Sequence, residues 1–376
     1  MSKLVCCADP TIPLVAELLQ GQPQVQLYPL PGTELSSTLL RRLGCQALFV
    51  RAGTRVDPPL LEGTAVRFVG TPSAGIDHIE VEALHQRGIT VAHTPGCNAN
   101  AVAEYVVFAL LVWAQHTGRE LPRERIGIIG FGHIGRRVAV YAHRLGMEVW
   151  VYDPPLARRG FHFPAWTLPT ASLRSLCAAC SVVTLHVPLT HSGQDATWHL
   201  LGAEELALLP AGALVIQTSR GGVLDEAAAA ELLPAKGAFL AVDVWEREPL
   251  VNWRLLERAL LATPHIAGHT WQARVACSCQ LLEQFARWAG LTVDTAPCER
   301  ALADCPPPPP ELPWEDPHRL LALLRERRRL EDDTRTVRSW RNLPESEQPQ
   351  AFRAFRASYP RRPETLSLPG EPSVPL

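Results

Sequence analysis

The chain has 376 residues, a formal net charge of −2 at pH 7 and 47% hydrophobic residues. That length calls for two or three domains, and the composition excludes a disordered chain. The near-neutral balance excludes a global field that would gather nucleic acid or an anionic membrane surface.

In chain order, Met1 to Asp9 reads as a first β-strand ending in an acidic turn, not as a signal peptide, so a cytoplasmic protein is expected. The runs Ala47-Leu48-Phe49-Val50 and Val66-Arg67-Phe68-Val69 are further short strands. The stretch Asn98 to His116 has apolar residues at helical spacing and is long enough to link two domains. Its apolar core, Val102 to Trp113, is interrupted by Glu104 and is too short to span a bilayer. Next come the strands Ile126 to Ile129 and Val149 to Tyr152, with a helix from Arg136 to Leu145 between them. Leu173 to Ala179 reads as a helix, followed by the strand Ser181 to Leu185. Leu214 to Gln217 and Phe239 to Val242 are two more strands. Short strands alternating with helices predict parallel sheets covered on both faces. Crossings between domains are expected near Thr94-Pro95-Gly96 and again near Thr263-Pro264-His265. Ten cysteines in a chain of this length predict no disulfide framework. Cys177-Ala-Ala-Cys180 reads as two buried thiols, and no metal site is expected.

After Cys305 the composition changes. Pro306 to Pro310 is a run of five prolines, a stiff spacer. His318 to Asp333 then reads as a charged helix whose Leu320, Leu321, Leu323 and Leu324 ask for a partner surface, which a second subunit would supply. Gln350 to Tyr359 carries Phe352, Phe355 and Tyr359 at helical spacing and leads into a Pro-rich tail.

Gly130-Phe131-Gly132-His133-Ile134-Gly135 is a G-x-G-x-x-G string placed between a buried strand and a helix, with Asp153 closing the next strand. Gly130 suits the tight turn, Gly132 lets backbone approach a pyrophosphate, and Gly135 lets helix and strand pack closely. The helix N-terminus favours phosphate, and Asp153 favours a free adenosine ribose over a 2′-phosphate. The cofactor expected is therefore NAD.

Three later loops follow strands and carry polar residues. They are Thr218-Ser219-Arg220-Gly221-Gly222, Asp243 to Pro249, and Thr263-Pro264-His265-Ile266-Ala267-Gly268. Oxidising a hydroxy acid needs a base for the hydroxyl proton, and histidine suits it near neutral pH. A carboxylate would orient the ring, and an arginine would grip the substrate carboxylate. His265, Glu248 and Arg220 fill these catalytic roles.

These three loops resemble the signatures of the D-isomer-specific 2-hydroxyacid dehydrogenases. The likeness extends to Phe68-Val69-Gly70-Thr71, Ala74-Gly75-Ile76-Asp77-His78 and Ala92-His93-Thr94-Pro95-Gly96-Cys97-Asn98-Ala99. Pro95 to Ala99, with Phe352 to Tyr359 and Arg361-Arg362-Pro363-Glu364, is similar to one branch whose substrate is a phosphorylated 2-hydroxy acid. The resemblance implies a flavodoxin-like substrate domain (1–93 with 268–294), a Rossmann NAD domain (94–267) and a small C-terminal α+β dimerisation domain (295–376), in a cytoplasmic homodimer. It implies His265 as proton donor or acceptor. Cofactor contacts carried over are His133, Ile134, Asp153, Val187, Thr218, Ser219, Asp243 and Gly268, with valine at 187 where threonine is usual.

Substrate contacts carried over fall on Ala52, Ser73 and His269. Ala52 stands where serine is usual, Ser73 where threonine is usual and His269 where tyrosine is usual. Losing a hydroxyl at 52 removes one hydrogen bond, worth about 0.5–1.5 kcal/mol. Arg51 and Arg55 are the candidate phosphate ligands. Two other readings remain open: a relative acting on an unphosphorylated acid such as glyoxylate or hydroxypyruvate, and an inactive NAD-sensing binding module.

Overall fold

The structure, a computed structural model, describes residues 3–292, 294 and 296–367; the Pro-rich tail beyond Ser367 lies outside the described residues. The chain forms two compact units, Met1–Asn98 with Thr270–Pro307 and Ala99–His269 with Pro308–Leu376. The first unit thus runs to Asn98 and resumes at Thr270. The region after 294 is divided between the two units.

In the first unit, β1 (Leu4–Ala8), β2 (Val25–Pro29), β3 (Ala47–Phe49), β4 (Phe68–Gly70) and β5 (Thr90–Ala92) make a parallel sheet of order β2-β1-β3-β4-β5. This is the flavodoxin-like order, and its switch point lies between β1 and β3. One face is closed by the Trp271–Ala289 helix, which returns the chain to this unit. Phe285, fully buried, packs edge-on against Phe49 at 5.1 Å and Phe68 at 5.4 Å, with Trp288 beside it.

The cysteine expectation is overturned here. Cys97 is bonded to Cys277 and Cys279 to Cys298. Their pairing is set by three-dimensional proximity, with Cα separations of 5.3 and 6.3 Å, which residue spacing does not reveal. Cys177 and Cys180 are fully buried thiols, and burial pushes both pKa values up to about 12.

The second unit contains β6 (Arg125–Ile129), β7 (Glu148–Tyr152), β8 (Thr167–Pro169), β9 (Val182–Leu185), β10 (Leu214–Gln217), β11 (Phe239–Val242) and β12 (Ala259–Ala262). They form a parallel sheet of order β12-β11-β10-β9-β6-β7-β8, a Rossmann order with a seventh strand. Every residue of β9 and β10 is buried, as both-face coverage requires. The Ala99–Thr117 helix is buried nearly all round, Glu104 included. It packs on the His133–Arg144 helix, on β10 and β12, and on the Pro317–Arg328 helix. None of the helices among the described residues is long and apolar enough to cross a membrane.

The stretch expected as one helix from His318 to Asp333 is two, Pro317–Arg328 and Leu330–Ser339, broken where Arg329 adopts φ +54°. Leu320, Leu321 and Leu324 find their partner surface within the chain, in the core built around Ala99–Thr117. A helix apolar on every side needs cover that the sheet alone does not give. The Leu330–Ser339 helix lies along the edge strand β12, where Thr334 Oγ1 accepts from Ala262 N at 3.1 Å and Arg338 donates to Ala259 O at 2.7 Å. Exposed ladder groups are thus taken up by side chains. From Pro308 on, the described residues contain helices and no strand, where a small α+β region was expected.

Phe285→Ala is expected to lower stability by about 3–5 kcal/mol, because three aromatic partners cannot collapse into the void. Denaturant unfolding of the purified chain measures it.

Candidate active site

Both sheets are parallel, so each presents its strand carboxyl ends, and the loops leaving them, at one edge. In the second unit that edge is built around β6. Gly130 turns the chain at φ +92°, and a Cβ there would meet His186 O at 2.6 Å and Val187 Cγ1 at 2.8 Å. Gly135 lies so close under this turn that a Cβ would come within 2.0 Å of Gly130 O. Gly132, the N-cap of His133–Arg144, has open space around it. Asp153 ties the turn to its neighbour: Oδ2 accepts from Phe131 N at 2.8 Å and Oδ1 from Leu156 N at 2.9 Å. Arg158, the nearest following cation, is paired with Asp195.

Two buried groups at this turn point to a ligand. His133 Nε2 and Arg136 Nη1 are enclosed without a hydrogen-bond partner among the described residues. Burial, then the charge of Arg136, lowers the His133 pKa, and burial lowers that of Arg136. An open glycine at a helix N-terminus with unspent nitrogen donors beside it suits a pyrophosphate. The residues present therefore fit NAD: Gly130 to Gly135 and His133 at the phosphates, Asp153 at the ribose.

Beyond β9, His186 is half-buried, and desolvation pushes its pKa down to about 3, so the ring is neutral. It meets Thr184 Oγ1 at 2.9 Å and Thr218 Oγ1 at 3.5 Å. Gln217 stitches the loop after β10: its Oε1 accepts from Ser219 N and Oγ, and its Nε2 donates to Arg220 O. Arg220 Nη1 donates to Ser219 O at 2.8 Å. A Cβ on Gly221 would lie 2.0 Å from Trp245 O, so the Arg220 loop rests directly on the loop after β11.

That second loop presents Glu248 to His265. His265 Nδ1 lies 2.9 Å from Oε2 and 3.1 Å from Oε1. With Nδ1–H donating to the carboxylate, Nε2 is the nitrogen left to take a proton. Glu248 Oε1 also accepts from Trp245 N at 3.0 Å. Burial pushes the Glu248 pKa up, but the charge and hydrogen bond of His265, the Trp245 N–H and the charge of Arg356 outweigh it, and the net direction is down. His265 itself sits in the left-handed region at φ +58°. Asp243 fixes it there: His265 N donates to Asp243 O at 2.6 Å, Ile266 N to Oδ1 at 2.7 Å and Ala267 N to Oδ2 at 2.9 Å. Thr263 Oγ1 also donates to Oδ1, at 2.6 Å. Asp243, expected as a cofactor contact, spends its carboxylate on the histidine loop. Gly268 and His269 end this loop, with the His269 ring 6.1 Å from that of Tyr359.

The remaining substrate candidates lie in the first unit, at the carboxyl edge of its sheet. Arg51 and Ala52 follow β3, and Arg51 Nη1 donates to Thr11 Oγ1 at 3.1 Å across the switch point. Ser73 follows β4, its carbonyl accepting from Thr94 N. Arg55 is engaged by Asp57 at 3.1 Å and Glu80 at 2.6 Å, which leaves Arg51 the better phosphate candidate. Sequence patterns did not single out Gln217 or His186; each supports a loop from within, and no spacing marks that.

The family profile described as "D-isomer specific 2-hydroxyacid dehydrogenase, NAD binding domain" matches residues 109–267. Erythronate-4-phosphate dehydrogenase of Pseudomonas putida is 36% identical, covering 97% of this chain and 94% of its own. The chain belongs to the D-isomer-specific 2-hydroxyacid dehydrogenase family. The erythronate-4-phosphate dehydrogenase of Stutzerimonas stutzeri is 40% identical over 77% of this chain and 74% of its own. Among solved structures, D-lactate dehydrogenase from Aquifex aeolicus, complexed with NAD and lactic acid, has a TM-score of 0.62 at 23% identity. It covers 76% of this chain and 96% of its own, a likeness of fold. The second unit is accordingly an NAD-binding domain, and the chain is an NAD-dependent dehydrogenase.

Gly135→Ala is expected to weaken NADH binding by about tenfold, since the Gly130 backbone of the phosphate turn must shift; NADH fluorescence titration measures it. Because the Glu248 pKa is depressed in the folded state, its contribution to stability is present above the ordinary glutamate range. It is lost as pH falls through the folded value, from about pH 5 downward. Glu248→Gln should therefore be less stable than the parent at pH 7, with the difference narrowing toward pH 3 in unfolding experiments.

Proposed function

We propose that this chain oxidises 4-phospho-D-erythronate to (R)-3-hydroxy-2-oxo-4-phosphooxybutanoate with NAD, in pyridoxal 5′-phosphate (vitamin B6) biosynthesis. The observation that carries the reading is likeness along nearly the whole chain to erythronate-4-phosphate dehydrogenases, C-terminal region included. The His265–Glu248 contact supports the chemistry. NAD, when bound, accepts the hydride from C2. His265 Nε2 takes the C2 hydroxyl proton, and Glu248 holds the ring and stabilises the imidazolium that results. Arg220 grips the substrate carboxylate with its planar fork. Arg51, Ala52, Ser73 and His269 form the substrate contacts, Arg51 meeting the phosphate. The protein acts in the cytoplasm as a homodimer, with the C-terminal region contributing to the dimer contact.

A second reading is favoured by Ala52 and His269, which depart from the usual serine and tyrosine: a changed preference among 2-hydroxy acids. NADH formation with NAD and 4-phospho-D-erythronate, beside D-erythronate and D-glycerate, separates the two. The expected result is phosphate-dependent oxidation, reduced by about 10²–10⁴-fold in His265→Ala. Oxidation of only the unphosphorylated acids replaces the first reading with the second, and NADH binding without any oxidation points to a binding module.

A further inference from the structure

Arg328, at the end of the Pro317–Arg328 helix, is 1% exposed and takes no part in the chemistry above. Its guanidinium is spread over three acceptors. Nη1 donates to Glu104 Oε1 at 2.7 Å and Ala101 O at 3.2 Å, both on the Ala99–Thr117 helix. Nη2 donates to Ala267 O at 3.1 Å, two residues beyond His265. Glu104 is fully buried, and its other oxygen accepts from Thr365 N and Leu366 N.

The histidine loop is thus gripped on two sides. Asp243 holds its N–H groups at 266 and 267, and Arg328 holds the carbonyl of 267. A buried ion pair is a poor way to gain stability, since apolar residues of similar volume often serve as well. Packing the C-terminal helix onto Ala99–Thr117 therefore does not by itself call for a guanidinium. Ala267 O does call for a donor, because a buried carbonyl without one is costly. Only a planar fork reaches Glu104 and Ala267 together; a lysine ammonium is a point charge that serves one of them.

We propose that Arg328 is a positioning residue for His265, fixing the histidine loop from the C-terminal region through Ala267 O. This rests on His265 as the acid–base group of the proposed reaction. Arg328 sets the pose of the loop left in the left-handed conformation, and so the direction in which Nε2 faces the substrate. The C-terminal region then has a second task besides covering the core: it completes the catalytic geometry within its own chain.

Two full-length variants test this. Arg328→Lys keeps a charge for Glu104 and loses the bond to Ala267. Glu104→Gln/Arg328→Met removes both buried charges together, leaving no unpaired ion if the first variant fails to fold. The histidine ring ¹⁵N–¹H signals are recorded without substrate, His265 being assigned by its loss in His265→Ala. NADH affinity, kcat and KM follow. The expected result is a folded protein with near-parental NADH affinity and KM, a shifted or broadened His265 ring signal, and kcat lower by about 10–100-fold. Parental ring signals and kcat in a folded variant overturn the proposal. So does a fall in kcat with the His265 ring unchanged, because Arg328 would then act elsewhere. The ring signals need no substrate, so a wrong substrate assignment leaves this test standing.

Discussion

Three backbone amides and one hydroxyl converge on Asp243, and the pose of the His265 loop depends on that convergence. The residue is 1% exposed, its carboxylate shared by Ile266 N, Ala267 N and Thr263 Oγ1. A buried carboxylate is tolerated only when its oxygens are filled, and here the filling is done by the loop it must hold. The left-handed backbone at His265 costs energy in a residue with a Cβ. The Asp243 bonds offset that cost, and the ring is thereby turned toward Glu248. Glu248 and His265 come from loops after different strands, so their meeting is a property of the sheet edge and not of either loop.

The glycine turn after β6, in the same sheet, obeys the same logic. Asp153 caps the start of the following short helix and holds the backbone of Phe131 at once, so the glycine turn is already fixed by the protein. Such preorganisation spares the binding event the entropy of ordering the loop. Neutral His186 works similarly beneath Thr218, filling a polar gap between two hydroxyls without bringing a charge into the sheet.

Much of this was legible in the sequence, for physical reasons. Short β-branched runs such as Leu214 to Gln217 can only be buried parallel strands, and the glycine string has one efficient use between strand and helix. Loops that follow parallel strands share an edge, so the loops carrying Arg220, Glu248 and His265 were readable as lying along one edge. The disulfides were not legible, because Cys97 and Cys277 are 180 residues apart and meet only through the chain's return to the first unit. The bonds that Asp243 makes to the histidine loop were not legible: the motif marks its presence, but which atoms fill its oxygens is a matter of loop geometry. Arg328 looked like one charge in the run Arg327-Arg328-Arg329. Its burial follows from a helix break that no periodicity displays.

The partnership between the first helix of the second unit and the far end of the chain bears on how the protein is made. Asn100 bonds to Glu364, and Glu104 accepts from Leu366, across 264 and 262 residues. During synthesis the apolar Ala99–Thr117 segment emerges long before its covering helix exists. At about 5–20 residues per second the ribosome leaves it waiting for tens of seconds. The nascent chain therefore carries an unfinished, sticky core for most of its translation, and the unit closes only once residues through Leu366 are free. Codon changes that slow the last third of the message would lengthen that exposure without altering a single contact in the finished fold.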